Sequence, residues 1–208
     1  MINNTISFTS SYVDKLNILK LNKQKEYFPH QSILVELESS DLEVLNDINN
    51  KWTQNSFGDN FVCWAKYNHK RTNKLFALTT QQNNFNKLQA DSILGLMNID
   101  LRKRKSKIHY IETKPNNPEY NNVGSSLINY AKTKTNRIKL TAGSKKLVDK
   151  FYTPLGFIHE YKNNNDRYAY CELIWLKNQT ILDKLKIYLK TKSRIFIEKL
   201  IDKLCNIA

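Results

Sequence analysis

The sequence predicts a mixed α/β fold: a mostly antiparallel central sheet, helices flanking it, and a helical extension at the C-terminus. Three observations predict it. Short apolar runs bounded by turn residues recur along the chain, helical periodicities interrupt them, and the pattern becomes wholly helical beyond Thr180. With 40% hydrophobic and 11% aromatic residues in 208, the chain has enough apolar surface for one sizeable core.

Taken in order, residues 1–30 are polar with scattered apolar positions and read as a lead-in closed by Pro29, with a short helix over Tyr12–Leu21. Ile33–Leu37 is β-branched and apolar, which predicts a strand. Ser39 or Ser40 can cap the next helix, in which Leu42, Leu45 and Ile48 recur at helical spacing. "DNFVCWAKYNHKR" suits a helix capped by Asp59, although "FVCWAKY" also suits a strand; helix is the preferred reading. "NKLFALTTQQ" predicts a strand and "NNFNKLQAD" a polar loop. "SILGLMNIDLRKR" and "SKIHYIETKP" predict two strands joined as an antiparallel hairpin through the basic turn Arg102–Lys107.

"EYNNVGSSLINYAKTK" then leads into an amphipathic helix carrying Leu127, Ile128 and Ala131. "RIKLTA" alternates as a strand. "SKKLVDKFYTPLGF" predicts a helix ended by Pro154 and Gly156. "FIHEYK" and "RYAYCELIWLK" form a last strand pair around "NNND". From Thr180 onward, Ile181, Leu185, Tyr188, Phe196, Leu200 and Leu204 line one helical face, and Ser193 can cap a second helix. The domain reading is therefore a lead-in over 1–30, a central domain over 31–178, and basic amphipathic helices over 179–208.

Charge narrows the partners more than the chemistry. Net charge is +14, and residues 180–208 hold seven Lys/Arg against three Asp/Glu. Such a field attracts nucleic acid, acidic protein or anionic membrane. No apolar run approaches the roughly 20 residues of a spanning helix, and "MINNTISFTSSYVDK" lacks an apolar signal core. Cys63, Cys171 and Cys205 lack paired spacing, which predicts no disulfide framework and no metal site. They read as free thiols in a reducing cytoplasm. No P-loop, Ser-His-Asp signature or metal-ligand cluster appears.

Two stretches carry a resemblance: "KIHYIETKPNNPEYNNVGSSLINYAK" and "KLVDKFYTPLGFIHEY". From Ile33 to Lys177 their order and separation resemble the GNAT family of N-acetyltransferases. The first is similar to that family's strand, pyrophosphate loop and helix, and the second to its late helix with a Tyr-x-x-x-Gly-Phe ending. The resemblance implies a sheet of GNAT type and acetyl-CoA as cofactor. The family loop reads Arg/Gln-x-x-Gly-x-Gly/Ala, and its backbone N–H groups face the pyrophosphate at a helix N-terminus. Here Gly124 takes the last glycine position, Val123 the apolar position between, Asn122 the first glycine position and Glu119 the Arg/Gln position. Asn tolerates left-handed backbone better than other side-chain-bearing residues. A carboxylate at 119 repels a pyrophosphate unless it faces solvent or pairs with a lysine. Ser125 and Ser126 can donate hydroxyls to phosphate. A plain turn before a helix is the competing reading of the loop.

The resemblance further implies backbone pairing of Ile111, Glu112 and Thr113 with the pantetheine arm, in a gap between "IHYIET" and "RIKLTA". It places the proton donor for the leaving thiolate at Tyr152, which keeps its proton at neutral pH. Glu112 can act as general base, directly or through water. Alternation puts His109 on the opposite face of that strand. His159 and Glu160 can line the exit, and Tyr168 and Tyr170 can border the acceptor pocket. The leading reading is an acetyl-CoA-dependent N-acetyltransferase acting by direct attack on an amine of a protein, a small molecule or an aminoacyl-tRNA. The alternative is a catalytically degenerate binding module on the same fold, acting through its basic surface on nucleic acid, an acidic protein or a membrane. The C-terminal helices can pack in cis or across a homodimer.

Overall fold

The computed structural model describes residues 11–38, 42–52, 72–84, 88–162 and 171–178, with parts of 180–196. The chain divides into two units, Met1–Lys134 and Thr135–Ala208. The fold class is α/β, built on antiparallel strands.

In the first unit the strand order is β6-β1-β2-β3-β4-β5. The strands are β1 (Ser11–Leu21), β2 (Tyr27–Leu37), β3 (Asn73–Thr79), β4 (Ile93–Asp100), β5 (Ser106–Thr113) and β6 (Tyr120–Asn121). Every registered pair among them is antiparallel. Helix α1 (Leu42–Lys51) covers one face of this sheet. Its Leu45 and Ile48, with Trp52 just beyond, pack on Ile33, Val35, Leu37, Leu75, Ala77 and Leu96. Helix α2 (Val123–Lys134) lies on the opposite face, where its Tyr130 meets Phe76 edge-on at 5.4 Å between centroids. Covering both faces explains why "LFAL" and "ILGLM" are continuous apolar runs rather than alternating ones.

Within the region expected to be a lead-in, residues 11–30 belong to a strand hairpin. Ser11–Leu21 is β1, not a helix, and it pairs with β2 from Ser11↔Glu36 to Leu21↔Tyr27. Leu16 and Ile18 have the two-residue spacing of a strand, and cross-strand pairing settles the choice. The expected boundary at residue 31 falls inside β2. Pro29 sits within β2, opposite Leu19. Since β3 pairs with β2 only from Ile33 onward, the N–H that Pro29 lacks is not required on that side. The β4–β5 hairpin turns through the expected basic segment, where Arg102 N donates to Ser106 Oγ at 2.9 Å. The caps expected at Ser39 or Ser40 and the element expected at Asp59–Arg71 lie outside the described residues.

In the second unit the order is β7-β9-β8, with β7 Arg137–Ala142, β8 Ile158–Lys162 and β9 Cys171–Leu176, all antiparallel. The helix expected over "SKKLVDKFYTPLGF" is shorter and mixed. It comprises one α-turn, α3 (Lys145–Leu147), then a π-turn from Val148 to Tyr152. Ser144 caps it, its Oγ accepting from Leu147 N at 3.2 Å. Residues 182–183, 185–190, 192–193 and 196 are helical. Thr180 and Asp183 form a reciprocal capping box at the start. Ser193 lies among the helical residues and donates to the Lys190 carbonyl, instead of capping a second helix.

Candidate functional site

The loop before α2 is built on the N-terminal hairpin. Tyr120 and Asn121 add to the edge of β1, opposite Lys20 and Leu19. Leu21 N donates to the Glu119 carbonyl at 2.7 Å, and the Tyr27 hydroxyl donates to the Pro118 carbonyl at 3.0 Å. Asn122 has φ of 62°, the left-handed geometry that a glycine would otherwise supply. Its N–H donates to Asn121 Oδ1 at 2.7 Å, and its carbonyl accepts from Ser126 N at 2.9 Å, opening the helix. Val123 and Gly124 are buried at the first turn of α2. An α-helix leaves its first N–H groups without intrahelical partners, here those of Val123, Gly124 and Ser125. Together with the helix dipole they make an anion-binding end.

Glu119 does not leave a bare negative charge beside this end. Its carboxylate pairs with Lys20 Nζ at 3.3 Å. The same ammonium lies 5.4 Å from the centre of the Tyr120 ring. Tyr120 first, and Glu119 next, raise the Lys20 pKa above its ordinary value. His30 stacks obliquely on Tyr120 at 5.8 Å; desolvation, and then Lys20, hold its imidazole below the usual range. Ser125 and Ser126 are placed differently from expectation. Their hydroxyls donate to the Asn122 carbonyl (2.9 Å) and the Asn17 carbonyl (2.7 Å), so their protons brace the loop.

Ile111, Glu112 and Thr113 lie on β5, opposite Met97, Leu96 and Gly95 of β4. The register shifts between Asn98 and Ile99, so His109 is the bulged residue between Ile108 and Tyr110. The bulge resets the alternation that would have separated His109 from Glu112. Asp100 and Lys107 face the side of the sheet that Tyr110 and Glu112 face, and both act on His109. Desolvation and then Lys107 lower the imidazole pKa, with Asp100 opposing. The bulge therefore removes the simple alternation by which His109 and Glu112 would be assigned to opposite faces.

Two residues of β4 support this region without having been anticipated. A Cβ on Gly95 would stand 2.7 Å from Val123 Cγ1 and 3.2 Å from both the Glu112 carbonyl oxygen and Leu127 Cδ1. Only a glycine lets the first turn of α2 come so close to β4 and β5. A glycine inside an apolar strand run was the available signal. Asn98 is fully buried, and neither of its amide atoms has a hydrogen-bond partner among the described residues. It lies across from Tyr110, beside the bulge.

In the second unit, Tyr152 ends the π-turn that Thr153 N closes by donating to the Val148 carbonyl at 2.9 Å. The chain then reverses through Gly156, whose φ of 78° favours glycine. Phe157 N donates back to the Tyr152 carbonyl at 3.1 Å. The Tyr152 ring is 4% exposed and meets Phe151 and Phe157 edge-on at 5.0 and 5.7 Å. Burial pushes its phenol up to about 12. His159 and Glu160 belong to β8, while Tyr168 and Tyr170 lie outside the described residues. Among the described residues, no group of three or more His, Cys, Asp or Glu could hold a metal ion.

No protein-family model matches the chain, and no curated protein does. Solved structures do. The chain is similar to an acetyltransferase from Thermus thermophilus, with 9% identity over 69% of this chain and 96% of that one and a TM-score of 0.52. Aminoglycoside 6'-acetyltransferase type Ii is similar at 14% identity over 69% and 96%, TM-score 0.51. The GNAT domain of an S. lividans protein is similar at 10% identity over 81% and 97%, TM-score 0.50. The fold is therefore that of the GNAT acetyltransferases.

Proposed function

We propose that the chain is an N-acetyltransferase that moves an acetyl group from acetyl-CoA to an amine by direct attack of the neutral amine. The observation that carries this reading is the first turn of α2. There Asn122 adopts the left-handed turn and Lys20 neutralises Glu119, so the helix end is free to receive a pyrophosphate. The backbone N–H groups of Val123, Gly124 and Ser125 hold that pyrophosphate, and the backbone of Ile111–Thr113 pairs with the pantetheine arm. Acetyl-CoA supplies the activated acyl group. Tyr152 Oη holds a proton for the departing sulfur, and a raised phenol pKa keeps that proton in place across the neutral range. Glu112 takes the proton from the incoming amine. The acceptor class is an amine; the +14 charge favours one carried on an acidic or RNA-linked molecule.

Calorimetric titration of acetyl-CoA into the full chain tests this. Binding in the micromolar range is expected, with a loss of about 100-fold or more in Gly124→Glu, because a carboxylate then occupies the anion site. Circular dichroism of the variant checks that it remains folded. Absence of binding to the folded native chain would overturn the enzyme reading and leave a binding module on this fold.

A further inference from the structure

The C-terminal helical segment carries an apolar face that stands exposed. Leu182, Leu185, Leu189 and Phe196 are 65%, 50%, 57% and 68% exposed. At about 100° per residue these four fall within an arc of about 60°. Lys186 and Lys190, both exposed, border one side of the arc. Exposed Lys192 and Tyr188 border the other, with Lys192 Nζ 5.5 Å from the centre of the Tyr188 ring. Asp183 is the one acidic residue from Thr180 to Ile197, and its carboxylate is engaged at the helix start by Thr180 N and Oγ1.

We infer that this helix docks the protein on an anionic membrane surface, lying in the headgroup plane with Leu182, Leu185, Leu189 and Phe196 in the acyl boundary. Four points favour lipid over other occupants. The apolar arc is made of described helical residues that all stand exposed, which suits a deformable medium. Lysines flank it on both sides, where long stems can reach anionic headgroups while the leucines insert. Tyr188 lies at the border, at headgroup level, where an amphipathic ring is favoured. A second copy of the chain fits poorly. Lys192 falls in the same three-four spacing as Leu185, Leu189 and Phe196, so pairing two copies would bury it in the seam and set basic borders together. Among the described residues no helix is long and apolar enough to cross a bilayer, so the helix lies on the surface.

The test is co-sedimentation of the full chain with phosphatidylserine–phosphatidylcholine vesicles and with phosphatidylcholine vesicles, alongside the double variant Leu185→Ser, Leu189→Ser. Both leucines are exposed, so the variant keeps its fold and its response to acetyl-CoA. Expected results are binding at least about tenfold tighter to the anionic vesicles, weakening with salt, and a further loss of about tenfold or more in the double variant. No binding, equal binding to both vesicle types, or binding unchanged by the serines would overturn the proposal. So would a dimer in light scattering that the serines dissociate, which assigns the face to a second copy. Acetyl-CoA titration of the same samples reads the catalytic proposal separately.

Discussion

The loop from Glu119 to Ser126 and the turn from Ser144 to Phe157 are held by opposite means. Polar contacts hold the loop: Lys20 on Glu119, Asn121 on the Asn122 N–H, and two serine hydroxyls on carbonyls. Apolar contacts hold the turn, with Tyr152 set edge-on between Phe151 and Phe157. A loop that offers backbone N–H groups to a charged ligand must stay accessible, so side-chain hydrogen bonds fix its shape. A phenol that must keep its proton is better served by exclusion of water, so packing fixes it. The two regions should therefore fail differently when altered.

The largest effect belongs to the packed region. Tyr152→Ala removes a buried ring and is expected to cost about 3–5 kcal/mol of unfolding free energy, measured by denaturant titration. Tyr152→Phe keeps the ring and should leave stability within about 1 kcal/mol. If Oη supplies a proton, turnover in that variant falls by about 10²-fold at unchanged acetyl-CoA affinity. Unchanged turnover in Tyr152→Phe would reduce Tyr152 to a packing residue.

Next comes the junction on which the polar loop rests. Gly95→Ala forces a methyl against Val123 Cγ1 and the Glu112 carbonyl, and about 1–3 kcal/mol of destabilisation is expected. The same displacement moves the first turn of α2, so acetyl-CoA affinity should fall alongside stability. A stable Gly95→Ala protein with native affinity would show that the close approach is not needed.

Alkaline titration sharpens the contrast at smaller magnitude. Burial raises the phenols of Tyr130 and Tyr152 from 10.0 to about 12. Between those values the unfolded chain releases protons that the folded chain retains. Stability is therefore fully present below pH 10 and falls as pH rises, by ~1 kcal/mol per phenol near about pH 11. Replacing Tyr152 by Phe should remove part of that fall. The polar loop shares in it only through Lys20, whose pKa Tyr120 and then Glu119 raise, so its pair with Glu119 also weakens as pH rises.

The same division explains what could be read from the sequence. Buried strands and the amphipathic helix from Val123 were legible because continuous apolar runs and Leu127, Ile128 and Ala131 record burial directly. Asn122 was legible as a left-handed position because few other side chains tolerate it. The N-terminal hairpin was not legible: much of β1 is polar, and pairing with β2 rather than local propensity makes it a strand. Consequently Lys20 and Asn17, about a hundred residues from the loop they brace, carried no local sign of that role. The bulge at His109 was not legible either, because a bulge leaves no mark in a period-two pattern.

The smallest effects separate charge from scaffold within the loop. Lys20 and Glu119 form a largely solvent-facing pair, so breaking it should change stability by no more than about 0.5 kcal/mol. Affinity is the more sensitive readout. Lys20→Met leaves the Glu119 charge uncompensated at the helix end and should weaken acetyl-CoA binding by about three- to tenfold at low salt, with the difference shrinking as salt screens it. Glu119→Gln removes the repulsion itself and should hold or slightly improve affinity. In the double variant the loss caused by Lys20→Met should largely disappear, because no carboxylate remains to be neutralised. If instead the double variant binds as poorly as Lys20→Met alone, Lys20 acts on the anion directly and Glu119 only positions it. Either result identifies which charge the loop uses.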